Sequence, residues 1–151
     1  MNKAFVREAE QTSEYCPRCG AQGETVGGET LETHLSAQQL GRVSPRANFC
    51  PSPRCEVAYF DGFERVVLVS ELSRAVYPKD PDAPICACFG LTCGEIDRDV
   101  AEGVATRTRA ILERAKSAEA RCARLAANGR SCVAYVQKYY MQCMQAKQRD
   151  T

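Results

Sequence analysis

Ten cysteines stand in a chain of 151 residues: Cys16, Cys19, Cys50, Cys55, Cys86, Cys88, Cys93, Cys122, Cys132 and Cys143. This thiol density constrains the fold more than any other feature. Each sulfur has to be buried, bridged or bonded to a metal, and the redox compartment decides between the last two. The opening stretch MNKAFVREAEQTSEYC places charges where a secretory signal carries its apolar segment. No apolar run approaches the roughly 20 residues of a membrane span. A cytoplasmic location is therefore expected, where thiols stay reduced and metal or redox roles outweigh a disulfide framework.

The first four cysteines form two pairs. Cys16-Pro-Arg-Cys19 is a C-x2-C and Cys50-Pro-Ser-Pro-Arg-Cys55 is a C-x4-C. Zinc takes four ligands at tetrahedral corners, and thiolates about 2.3 Å away satisfy it. Short loops aim both sulfurs of a pair at one ion, with Gly20 positioned for the sharp turn after the first pair. Cys16, Cys19, Cys50 and Cys55 are therefore the expected metal ligands for Zn2+. His34 is the only histidine, and four thiolates leave it no place in a tetrahedral shell.

The chain changes character near residue 80. Residues 1–13 read as a mobile leader and 14–80 as a β-rich, zinc-ribbon-like region. EVAYF and RVVLV flank Asp61-Gly62, which predicts a β-hairpin. GETLETHLSAQQLG fits a strand or a short helix equally well by period. Residues 78–84, PKDPDAP, form a stiff linker. Residues 81–151 read as mainly helical, so the fold class is α+β. Ile96, Val100, Val104, Ile111 and Leu112 are spaced for one apolar helix face. Thr92 and Glu95 match a capping box, Gly103 marks a break between helices, and Asn128-Gly129 marks a turn. A final helix follows in SCVAYVQKYYMQC.

In this helical region lie the other six thiols. Cys86-Ala-Cys88 is too tight for an unstrained disulfide, and its spacing suits one iron of a cluster. A [2Fe–2S] cluster needs four ligands, so a second pair has to come from the helices. Cys122 and Cys132 lie there on either side of the turn, with Cys93 and Cys143 as spare thiols. Cys93, at a helix start, is either a packing residue or a reactive thiol. Met141, Cys143 and Met144 offer soft ligands for Cu+ or, more simply, a packing face.

NFCPSPRCEVAYFDG, PICACFGLT and EARCARLAANGRSCVAYV together resemble the N-terminal domain of iron–sulfur-type copper chaperones of the CopZ family, over most of residues 14–136. The second half is also similar to the [2Fe–2S] domain of bacterioferritin-associated ferredoxins. The resemblance implies a [2Fe–2S] cluster beside a mononuclear zinc. Cys86, Cys88, Cys122 and Cys132 match the cluster positions, and Cys16, Cys19, Cys50 and Cys55 match the zinc positions. Ser131 stands where the family turn carries a further cysteine, and the sequence has no GMxCxxC copper loop.

No catalytic triad, phosphate loop or carboxylate pair is present. Twenty Lys and Arg oppose 19 Asp and Glu, a net charge of +1, which offers no electrostatic case for nucleic acid or an anionic membrane. Arg107, Arg109, Arg114, Lys116, Arg121, Arg124 and Arg130 read as a solvated helix face or as a docking patch for an acidic redox partner. The expected function is one-electron transfer linked to copper handling, with metal-ion reductase activity as its enzymatic form. The expected partner is a metal-transport or redox protein, such as a copper ATPase or a separate copper carrier. The alternatives are a cluster-carrying accessory subunit or redox sensor, and a purely structural zinc protein.

Overall fold

The computed structural model describes residues 14–149; the expected leader, 1–13, lies outside them. Four short antiparallel strands run in the order β1 (Glu24–Thr25), β2 (Asn48–Phe49), β3 (Val57–Phe60) and β4 (Val66–Leu68). Helices α1 (Gly28–His34) and α2 (Ala37–Leu40) fill the connection from β1 to β2. The stretch with no decisive period is thus helical. Ser36 and Gln39 close a capping box that starts α2.

Val57 pairs with Leu68, Tyr59 with Val67 and Phe60 with Val66, so EVAYF and RVVLV do form the hairpin. Its turn is longer than the Asp-Gly pair suggested. The Asp61 carboxylate accepts from the Phe63 and Arg65 amides, and the left-handed residue is Glu64, at φ 63°. A register shift between Val57 and Tyr59 breaks strict alternation along β3. Val57 and Phe60 consequently pack with Cys16 and Cys50, whereas Ala58 and Tyr59 join the main core with Leu31, Phe49 and Val67.

The second half builds its own core from α3 (Cys93–Glu102), α4 (Thr106–Ala115), the single turn α5 (Cys122–Leu125) and α6 (Val133–Arg149). Thr92 caps α3 with Glu95 as its reciprocal partner, and Gly103 ends the helix at φ 79°. Ile96, Val100, Ala115 and Val136 are buried together with Ile85, Cys86, Leu91 and Cys132. Val104 is not part of this face. It follows the left-handed Gly103, outside both helices, and is exposed. Buried Asp99 joins α3 to α4: its carboxylate accepts from the Thr108 amide and hydroxyl at 2.7 Å each and from Arg107 at 2.8 Å.

The β half and the helical half meet through polar contacts to the segment around Gly129. Thr30 of α1 donates to the Ala123 carbonyl, and Tyr59 donates to the Ala127 carbonyl, each at 2.5 Å. Glu24 of β1 accepts from Asn128 at 3.2 Å and from Tyr135 at 3.3 Å, and Arg130 lies 3.7 Å from it. No helix among the described residues is long and apolar enough to cross a membrane.

Candidate metal centres

The turn at Cys16 and the turn at Cys86 are built alike. Cys16 N–H donates to the Ala21 carbonyl, and Gly20 N–H returns to Cys16. Cys86 N–H donates to the Leu91 carbonyl, and Gly90 N–H returns to Cys86. The fifth residue of each turn is a glycine at positive φ, 76° for Gly20 and 77° for Gly90, a conformation open to Gly at little cost. In the second turn the Cys88 and Phe89 amides reach the Cys86 sulfur, and in the first the Ala21 amide reaches the Cys19 sulfur. The sequence signal is a glycine four residues after the first cysteine. That signal is plain at Gly20, directly after a C-x2-C pair, and weaker at Gly90, where the second cysteine sits at a different step of the turn.

Cys16, Cys19, Cys50 and Cys55 place their sulfurs within 4.8 Å of one another. Cys16 and Cys55 are 3.8 Å apart and Cys19 and Cys50 are 3.5 Å apart. Four sulfurs about 2.3 Å from one ion at tetrahedral corners would stand about 3.8 Å from each other, so the spacing suits a single zinc. Backbone amides support the outer sulfurs: Ala21 N–H donates to Cys19 and Val57 N–H to Cys55, both at 3.5 Å. Burial raises the Cys19 thiol, but the Ala21 amide and the neighbouring thiols outweigh it and bring the pKa down to about 7. Burial dominates at Cys50 and pushes it up to about 12. Lys79, from the Pro-rich linker, donates to the Ser52 and Cys55 carbonyls at 2.6 and 3.1 Å and so clamps the second loop. Nothing in the sequence pattern pointed to Lys79.

His34 lies away from these sulfurs. It is buried against Tyr59, with Nδ1 2.9 Å from the Thr30 carbonyl, and burial lowers its pKa.

The remaining four expected ligands also converge, in a wider arrangement. Cys88 and Cys122 are 3.7 Å apart. Cys132 is in hydrogen-bond contact with Cys86, and Cys88 and Cys122 act electrostatically on Cys132. The thiols therefore pair between segments, Cys86 with Cys132 and Cys88 with Cys122, rather than within the C-x-C motif. Cys86 points into the core, completely buried, whereas Cys88 is half-buried.

The Cys132 thiol holds Cys86 down to about 6, helped by the Phe89 and Cys88 amides and by Arg114; the same contact pushes Cys132 far up. Arg121 N–H donates to the Cys88 sulfur at 3.3 Å. Amides just after the Asn128-Gly129 turn are engaged elsewhere: Arg130 N–H goes to the Asn128 side chain and Val133 N–H to Ser131.

The basic residues of this half divide by role. Arg107 binds Asp99 and Glu102, Arg114 stacks on Phe89 at 4.2 Å, and Arg130 faces Glu24.

Residues 13–73 match the family model zf_CopZ, described as a zinc binding domain. The four-thiol group of Cys16, Cys19, Cys50 and Cys55 lies inside that match and marks a metal-binding site. Among solved structures, the chain is similar to the X-ray structure of the Archaeoglobus fulgidus CopZ N-terminal domain. The identity is 23%, the TM-score is 0.68, and the match covers 82% of this chain and 95% of that one. At that identity the likeness establishes the shared α+β fold. No curated protein matches the chain.

Proposed function

We propose that this chain is a cytoplasmic protein that binds Zn2+ and a [2Fe–2S] cluster and serves one-electron transfer linked to copper handling. Cys16, Cys19, Cys50 and Cys55 would hold the zinc. Cys86, Cys88, Cys122 and Cys132 would hold the cluster. The observation that carries this reading is the difference in span between the two sets of thiols. Among the described residues, only the first set has all its sulfurs within 4.8 Å, the compass of one ion. The second is spread wider around facing pairs, as two irons bridged by sulfide require.

When bound, a cluster of this type supplies a reversible one-electron couple. The chain's own groups would set its properties. The Cys88, Phe89 and Arg121 amides donate to sulfur, which stabilises the more negative state and raises the potential. Arg114 adds positive charge beside Cys86. Cys86 and Cys132 are buried while Cys88 and Cys122 are half-exposed, which leaves one side open to a docked partner. The zinc would have no redox part, and its role would be to hold the β half closed.

Copper enters through the resemblance to copper chaperones, with a metal-transport protein as the implied partner. The test is direct. Protein reduced by dithionite, freed of excess reductant and mixed anaerobically with Cu(II) should form Cu(I), trapped by a chromophoric chelator, in step with the return of its oxidised spectrum. Failure to form Cu(I), with electrons still passed to a generic acceptor, would leave an electron carrier unconnected to copper.

A further inference from the structure

The half-exposed corner of the second thiol set carries a surface of its own. Cys88 and Cys122 meet there at 3.7 Å. Their exposed neighbours in the chain are small, Ala87 and Gly90 on one side and Ala123 on the other, so a partner can come close to the sulfurs. Cations gather at the same corner. Arg121 and Arg124 line a shallow concavity of about 310 Å3 with Ala120, Cys122 and Ala123, and Glu29 is the one carboxylate in its wall. The Arg121 guanidinium donates to the Ala118 and Ala120 carbonyls at 3.3 and 3.5 Å, which holds it in place while leaving it exposed. Arg114 stacks on Phe89, acts on Cys86 and lies 3.5 Å from Glu119. Arg124 and Lys116 are exposed and have no anionic partner among the described residues. From residue 109 to 124 five cations stand against two carboxylates, Glu113 and Glu119, whereas the whole chain has a net charge of only +1. Positive charge is thus concentrated where the sulfurs reach the surface.

We infer that this corner is the docking surface for a protein partner that presents clustered carboxylates and supplies the electron to the cluster. Each Cu(II) reduced would consume one electron, so a donor has to replace it. The partner gives up one electron: its own centre is oxidised, the cluster is reduced, and no bond is made or broken. Four thiolates and two sulfides around two ferric ions leave net negative charge, which would repel an acidic donor. Arg114, Arg121 and Arg124 reverse the sign at the surface. Such complementarity speeds encounter more than it tightens binding, as suits a donor that has to dissociate after each transfer. The concavity beside Cys122 takes a carboxylate side chain, to which the Arg121 and Arg124 guanidiniums offer paired donors. A nucleic acid fits less well. Its phosphates repeat along an extended path, whereas these cations cluster at one corner with Glu29 among them. That electrons cross here rests on the proposed cluster; the charge and shape of the face stand without it.

Two measurements on the full chain, purified anaerobically, test this. Fluorescein-labelled hexaglutamate, followed by anisotropy, should bind at about 20 mM salt and weaken by at least about tenfold at about 300 mM. Arg124→Glu should weaken that binding by at least about fivefold at the lower salt, whereas the same reversal at Arg149, at the far end of α6, should change it by less than about twofold. Equal effects of the two reversals would overturn the surface, because net charge alone would then be sensed. A short DNA strand of equal charge that binds as tightly as the peptide would overturn it too. In the second measurement the dithionite-reduced protein, freed of excess reductant, is mixed with ferricyanide, a one-electron acceptor of high negative charge. Its reoxidation, read from the visible bands, should slow as salt rises and slow again in Arg124→Glu at fixed salt, with iron content unchanged. A rate that rises with salt would place electron exchange on a face of the opposite sign and overturn the inference. A colourless protein that still binds the peptide through Arg124 would sink the cluster and keep the surface for an acidic partner.

Discussion

Tyr59, on the central β-hairpin, donates its phenolic O–H to the main-chain carbonyl of Ala127 at 2.5 Å, in a fully buried contact. One partner belongs to the zinc-binding match and the other to the segment that joins Cys122 to Cys132. Order in the β half is thereby passed to the thiols of the helical half. Tyr59→Phe removes the donor and leaves a buried carbonyl unpaired, at a cost of about 1–3 kcal/mol. The expected result is a lower denaturant midpoint and faster loss of visible absorbance in air, with zinc content unchanged. Equal midpoints for the two proteins would show that the contact carries no such coupling.

The dependence should run one way. Cys88→Ala is expected to abolish iron and colour while zinc stays bound and the sheet stays folded. Cys50→Ser, which removes a buried sulfur from the compact site, should lose zinc and lower iron content as well, because the 122–132 segment leans on the β half through Thr30, Tyr59 and Glu24. Metal analysis of both variants checks this; full iron in Cys88→Ala would show that the cluster ligands are wrongly assigned.

Gly129 is held at φ 68°, and a Cβ there would lie 2.6 Å from the Thr30 hydroxyl. Gly129→Ala should therefore destabilise by about 1–3 kcal/mol, through left-handed backbone strain and displacement of Thr30. A thermal melt reads this. Gly27→Ala, with nothing within 4 Å of the added carbon, is the control and should change little.

Burial lowers the pKa of His34 in the folded chain. Below the unfolded value of about 6.5 the unfolded chain binds the extra proton more readily, so stability falls as pH falls through that value. Between pH 7.5 and 5.5 the denaturant midpoint should drop more for the parent protein than for His34→Asn. The same drop in both would assign acid sensitivity to the thiolates alone.

Much of the site was legible because metal ligation forces its residues into short, repeated spacings. Cys16, Cys19, Cys50 and Cys55 announce themselves in two tight pairs, and the structure brings them together. Thr92 with Glu95, Gly103 and Gly129 were equally plain, since capping and left-handed turns admit few residue types. What escaped was long-range. Lys79 clamping the Cys50 loop, the Arg121 amide on Cys88, and the crosswise pairing of thiols depend on how the halves pack, which no local period encodes. The helical nature of 28–40 was hidden because its two helices are too short to display a period. Val104 was misplaced for the opposite reason: its spacing continued a helical face across a residue, Gly103, that ends the helix.

The central claim is that sulfur is committed in two sets, one around a single ion and one around paired irons. Elemental analysis of the full chain purified without oxygen, together with its absorption spectrum, tests this most directly. The expected result is about one zinc and about two irons per chain, with charge-transfer bands between about 400 and 600 nm. A colourless protein that holds zinc and no iron would contradict it.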